Sequence, residues 1–136
     1  MTVKSVKIIK NKVFRNKKGN LVKYISKKNK FFIKFGEIYF NEIKKGNKKG
    51  WNLHKKNNCL IICVYGKVEF ILIDKRKREK KITLSSNTGK ILKIPPKVWF
   101  AFKSIKKISI LANLIERPHQ DSEVIKKNKI KNYLIK

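Results

Sequence analysis

Arginine is scarce in this very basic chain. Of 37 lysine and arginine residues among 136, only Arg15, Arg76, Arg78 and Arg117 are arginine. Proteins that read phosphates and base edges favour arginine for its planar fork. The formal net charge of +29 therefore argues for a solvated lysine surface more than for a dedicated nucleic-acid reader. Lysine runs from end to end, mixed with Asn and Ile, as codon drift in an AT-rich genome would produce. Cysteine is rarer still. Cys59 and Cys63 would stand about 13 Å apart on a strand, too far for a bridge. A reducing cytoplasm is the expected compartment. No apolar run approaches the roughly 18 residues of a membrane span. The segment 1–14 alternates lysine with apolar residues and has no continuous apolar stretch, so no signal peptide is expected. There are no internal repeats and no glycine- or serine-rich linker. The length suits one domain, and an apolar content of 41% excludes disorder for its body.

What is present is a series of short apolar runs separated by Gly, Asn and Lys turns. Val6–Ile9, Leu21–Ile25, Phe31–Phe40, Cys59–Tyr65, Val68–Asp74, Ile82–Leu84, Lys90–Ile94, Val98–Phe102 and Ile108–Ile115 read as strands. Gly36 marks either a bulge or a break within the third run. Cys59–Tyr65 is apolar throughout, as a central strand covered on both faces would be. Val68, Phe70 and Leu72 share one face of the next strand, and 75–81 forms a charged hairpin tip. Turn signals this frequent predict an all-β barrel or jelly roll over 1–120. In 121–136 the texture changes. Asp121 or Ser122 suits an N-cap and Glu123 the first turn, which predicts a short basic C-terminal helix or tail.

Five motifs in order carry a resemblance. They are Val13-Phe14 with Gly19, Lys49-Gly50-Trp51-Asn52-Leu53-His54, Gly66-Lys67-Val68, Ile73-Asp74-Lys75-Arg76, and Ile94-Pro95-Pro96-Lys97-Val98-Trp99-Phe100-Ala101-Phe102. Over about 13–123 the chain resembles the dTDP-4-dehydrorhamnose 3,5-epimerases and the related dTDP-sugar 3,4-ketoisomerases, a cupin family. The resemblance implies a double-stranded β-helix, a homodimer, and a dTDP-linked 4-keto-6-deoxy sugar as ligand. Surface-polysaccharide synthesis would be its setting, with no cofactor.

Chemistry of that kind removes a proton next to a ketone and returns one. It needs a histidine base held by a carboxylate, a tyrosine acid, and a cation near the oxygen. Several of these parts are replaced here. The epimerase base falls at Asn52, the lysine opening the next strand at Cys59, the histidine of the Pro-Pro motif at Phe100, and the tyrosine near Leu111 or Ala112. Lys49 stands for the phosphate-gripping arginine. His54 shares a strand face with Asn52 and is the base that remains, with Glu42 or Glu116 as carboxylate partner across the barrel. Trp51, Trp99 and Phe100 offer faces for a sugar or thymine. Arg76 either pairs locally with Asp74 or Glu69 or holds a phosphate.

No metal site is expected, since Asn52 and Phe100 stand where ligands would be needed and His119 lies beyond the barrel strands. Two other readings follow from the same residues. One is a non-catalytic sugar-nucleotide-binding cupin. The other is a lysine-driven binder of nucleic acid or another polyanion.

Overall fold

The computed structural model describes residues 2–130 and 133–134. Its strands are β1 (Lys7–Lys10), β2 (Val13–Phe14), β3 (Leu21–Val22), β4 (Glu37–Lys44), β5 (Lys48–His54), β6 (Cys59–Tyr65), β7 (Lys67–Ile73), β8 (Glu79–Ser85), β9 (Lys90–Ile94), β10 (Trp99–Ser104), β11 (Ile108–Ile115), β12 (Val124–Lys126), β13 (Lys129–Ile130) and β14 (Tyr133–Leu134). Two five-stranded antiparallel sheets carry the fold, in the orders β1-β9-β6-β11-β4 and β12-β5-β10-β7-β8. They face each other as a cupin-type jelly roll. Among the described residues the helical turns are Val3–Ser5 and Asp121–Glu123, both 3-10.

The core lies between the sheets. Ile43, Cys59, Ile61, Cys63, Leu92, Leu111 and Ile115 come from one sheet, and Val68, Phe70, Leu72, Leu84, Phe100 and Phe102 from the other. The alternation expected on β7 holds, for Val68, Phe70 and Leu72 are all buried. Truncating Phe70 to alanine would cost about 3–5 kcal/mol in a core of this kind. Strand β6 is the middle strand of its sheet, which explains its unbroken apolar run. Its even-numbered residues Leu60 and Ile62 face outward and are also buried, beneath Val22, Tyr24, Ile25, Phe31 and Phe32.

That cover explains one departure from the expected strands. Phe31–Gly36 does not extend β4. The aromatic pair Phe31 and Phe32 packs across the outside of the sheet instead, and the Tyr24 hydroxyl hydrogen-bonds the Leu60 carbonyl. Gly36 is a break: a side chain there would drive into the Arg117 backbone, 2.3 Å from its nitrogen.

The expected C-terminal helix is a second departure. Asp121–Glu123 makes one 3-10 turn, and Val124–Lys126 then runs as β12 along the edge of β5, Val124 opposite His54 and Lys126 opposite Asn52. An open sheet edge offers backbone hydrogen bonds that a short lysine-rich helix cannot match. Further on, β13 pairs with β14. Residues 131, 132, 135 and 136 of the expected helix lie outside the described residues.

Candidate active site

The Lys49-to-His54 motif lies on β5, and its glycine explains its geometry. Between β10 and β5 the register slips: Phe100 stands opposite Asn52, but Ala101 opposite Gly50 and Phe102 opposite Lys49. Trp51 is the extra residue of a β-bulge. Gly50 has φ +114°, and a Cβ there would stand 2.6 Å from the Phe100 carbonyl oxygen. Only glycine fits this turn of the backbone. The slip puts Lys49, Asn52 and His54 on the inner face together and turns Trp51 outward.

At one mouth of the jelly roll a small cavity of about 40 Å³ opens between the sheets. Tyr39 and Asn41 of β4 and Asn113 of β11 face Asn52 and His54 of β5, with Phe100 and Phe102 behind. A water needs roughly 10–15 Å³ on this measure, so the cavity takes a few waters and no sugar ring. Next to it is a wider crevice of about 340 Å³, which shares Tyr39, Asn52 and His54 and adds Glu37, His119, Val124 and Lys126. A ring seated there would reach the cavity with one edge.

His54 is 5% exposed. Its Nδ1 lies 2.8 Å from Glu123 Oε2, and the Phe100 ring lies nearly parallel to it, with ring centroids 6.1 Å apart. Glu123 Oε1 accepts the backbone N–H groups of Asn57 at 2.8 Å and Lys56 at 3.0 Å. Burial works to raise the Glu123 carboxyl, but these two amides and the His54 ring outweigh it, and the group lies below the ordinary glutamate value. The charged carboxylate therefore keeps the His54 proton on Nδ1, which leaves the Nε2 lone pair as the basic atom.

Across the cavity Tyr39 accepts a hydrogen bond at 2.8 Å from Asn113 Nδ2. Burial, with Cys59 next, pushes its hydroxyl well above the ordinary phenol value, so it is a protonated donor at neutral pH. Lys49 Nζ donates to Asn41 Oδ1 at 2.6 Å, which leaves the Asn41 amide nitrogen as the free end. One wall thus offers a base, the other a proton donor, and amides line the space between.

The expected residues divide. His54, Asn52 and Phe100 meet at the cavity, and Lys49 reaches its rim through Asn41. Trp51 and Trp99 do not join them. Trp51 is 2% exposed and packs with Ile73, Ala101, Ile71 and Trp99 on the outer face, where Lys127 Nζ lies 5.2 Å from the Trp99 ring centroid. Neither carboxylate expected beside His54 reaches it. Glu42 is exposed, because Tyr39, Asn41 and Ile43 take the inner face of β4. Glu116 accepts from the Asn58 backbone and side chain at 2.5 and 2.6 Å and pins the β5–β6 loop. Arg76 is exposed in the β7–β8 turn and lines neither cavity nor crevice. It is Arg78, not Arg76, whose side chain bonds Asp74.

Glu123 and Tyr39 were not found from the sequence. Acidic residues number only eight, so each was a candidate partner for His54, but helix-cap grammar absorbed Glu123. Tyr39 lies one strand away from the position near Leu111 where a tyrosine was sought: Leu111 stands opposite Asn41, and Asn113 opposite Tyr39. His119, beyond β11, lines the crevice, its Nε2 3.2 Å from Asp121 Oδ1. Among the described residues no three His, Cys, Asp or Glu side chains gather as a metal site.

The two facing sheets, with a histidine–carboxylate pair at their mouth, define a cupin-type jelly roll with a polar candidate site. Comparison with known proteins agrees. Residues 4–134 match the family described as FdtA, WxcM-like, C-terminal, and the chain belongs to that family. Comparison with curated proteins finds no match. Among solved structures, a dTDP sugar isomerase from Desulfovibrio desulfuricans G20 superposes with a TM-score of 0.85 at 24% identity, covering 90% of this chain and 83% of that one. A mutant of the 3,4-ketoisomerase QdtA from Thermoanaerobacterium thermosaccharolyticum, in complex with TDP-4-keto-6-deoxyglucose, gives 0.79 at 27% identity, covering 88% and 86%. The 3,5-epimerase RmlC from Legionella pneumophila Philadelphia 1 gives 0.79 at 16% identity, covering 89% and 71%, a likeness of fold.

Proposed function

We propose that the protein is a cofactor-independent ketoisomerase of a nucleoside-diphosphate 4-keto-6-deoxy sugar. The observation that carries this reading is the convergence of His54, oriented by Glu123, and the Tyr39 hydroxyl on one cavity from opposing sheets. The family and the ligand of the QdtA complex support the substrate class.

With the sugar ring in the crevice and its reacting edge at the cavity, His54 Nε2 takes the C3 proton next to the ketone. The C–H electron pair becomes the C3–C4 double bond, and the charge passes to the ketone oxygen. The amides of Asn41 and Asn52 and the Lys49 ammonium stabilise that charge. Tyr39 gives its proton to C4, the C3 hydroxyl proton passes to the neighbouring oxygen, and C3 becomes the new ketone. Solvent returns the proton from the His54 imidazolium to the Tyr39 phenolate. Lys49, exposed beside Asn41, would also meet the nucleotide phosphates. Phe100 holds the imidazole plane rather than the sugar.

The chain would act as a homodimer. Strand β4 is a sheet edge, and Phe40 is 69% and Ile38 43% exposed on its outer face, an apolar pair that suits a second copy. A shift to monomer in Phe40→Lys, read by light scattering, tests this. Free, buried Cys59 and Cys63 suit the reducing cytoplasm, where the product would feed surface-polysaccharide synthesis.

In heavy water, TDP-4-keto-6-deoxyglucose should exchange its C3 proton and convert to the 3-keto isomer. His54→Ala should slow the exchange by about a thousandfold. Absence of exchange by the unaltered protein across a panel of nucleoside-diphosphate keto sugars sinks the proposal.

A further inference from the structure

The Tyr39 hydroxyl has a fixed neighbour that the reaction scheme leaves unused. Asn113 stands directly opposite it on β11, and its Nδ2 donates to the Tyr39 oxygen at 2.8 Å. A phenol carries one proton and accepts through its oxygen. Once that oxygen accepts from Asn113, its own proton must point elsewhere, and the other polar groups lining the cavity are Asn41, Asn52 and His54. The amide's other end carries the cost. Asn113 is 5% exposed, and its Oδ1 is buried without a hydrogen-bond partner among the described residues. Turned over, the amide would receive the Tyr39 proton, and the phenol would meet the cavity as an acceptor. Cys59 adds a boundary. Burial pushes its thiol up to about 12, with Asn113 offsetting part of the rise. The thiol stays protonated and takes no proton from Tyr39.

We infer that Asn113 is a positioning residue that makes Tyr39 a proton donor toward the substrate by occupying the phenol oxygen from behind. The inference rests on the ketoisomerase reading and assigns its reprotonation half to a pair of residues on adjacent strands. Asn113 touches no reacting atom. Its effect falls on delivery of the proton to C4 and not on removal of the proton from C3.

Asn113→Asp replaces the donor with an acceptor of the same shape. Two rates are followed with TDP-4-keto-6-deoxyglucose in heavy water: exchange at C3 in recovered substrate, and formation of the 3-keto product. Exchange should stay within about threefold of the unaltered protein, while product formation falls by about a hundredfold. Tyr39→Phe should give the same split, and the double variant should be no worse than Tyr39→Phe alone. Asn113→Leu, which removes the donor without burying a charge, should show the same split with a product loss of about tenfold, so a collapse of the fold in Asn113→Asp is told apart. Equal loss of both rates, or loss of neither, overturns the inference.

A second measurement needs no turnover. In protein carrying 13C at the tyrosine Cζ, the Tyr39 resonance should move in both Asn113 variants, and an unmoved resonance overturns the assignment. An unaltered protein with no exchange removes the ketoisomerase reading, while the resonance still decides the orientation of Tyr39.

Discussion

Asp74 and Glu123 are both buried carboxylates that take backbone N–H groups, and both lie below their ordinary values. Asp74 Oδ1 accepts from the Arg76 and Arg78 amides, and Oδ2 from the Val3 amide at 3.0 Å and Arg78 Nε at 3.1 Å. Every partner is a permanent donor, so the group is a staple between the N-terminal turn and the β7–β8 hairpin. Glu123 spends one oxygen in the same way, but gives the other to His54 at the cavity. A depressed carboxyl is therefore not itself the mark of a reactive site. What separates the two is whether the last oxygen meets a group that can gain and lose a proton.

The two carboxylates should part most widely in Glu123→Gln. Its Oε1 keeps the Lys56 and Asn57 amides, but its NH2 faces His54 Nδ1. The ring must then accept there and carry its proton on Nε2, so the base proposed at that atom is lost. Turnover should fall by about 10²–10⁴-fold, with a loss of thermal midpoint smaller than that of Asp74→Asn. Steady-state kinetics alongside calorimetry checks both halves, and an unaltered rate would reduce Glu123 to a second staple.

Asp74→Asn should show the reverse. Its amide would point donors at the Val3 N–H and Arg78 Nε, costing about 2–4 kcal/mol of stability by denaturant titration. Turnover per folded molecule should stay unchanged.

Acid should act on both groups in the same direction. Each carboxyl has a folded value below its unfolded one, so its stabilisation is complete above the ordinary carboxylate range. It is lost as pH falls through the depressed folded value. Thermal midpoints measured from neutral pH into acid should drop steeply for the unaltered protein and less steeply for Asp74→Asn.

The smallest effect is expected from Arg78→Met. Its side chain is 34% exposed, and Asp74 keeps three backbone donors without it, so the loss should be about 1 kcal/mol or less. A larger loss in the denaturant midpoint would make the ion pair, rather than the amides, the staple.

The strands legible in the sequence were those whose burial wrote a continuous signal. Cys59–Tyr65, Lys90–Ile94 and Ile108–Ile115 match their observed bounds: the first is apolar along its length, and the polar residues of the other two fall singly among buried apolar ones. Phe31–Gly36 failed because aromatic cover on a sheet's outer face has the same composition as a strand. The tail failed because Asp121, Ser122 and Glu123 satisfy helix-cap grammar, and only the open edge of β5 decides against it. In the site, His54 and Asn52 were legible from strand alternation. Trp51 was not, since the bulge at Gly50 interrupts that alternation. Tyr39 and Glu123 depend on which strands become neighbours, and local pattern is blind to that.

The 69 residues that separate His54 from Glu123 have a consequence for biosynthesis. The imidazole leaves the ribosome long before the carboxylate that aims it, and β5 waits as an unzipped border until β12 arrives. The pairing of His54 would thus wait for a segment made after all the long barrel strands, and a chain truncated near residue 120 would leave the imidazole without its carboxylate.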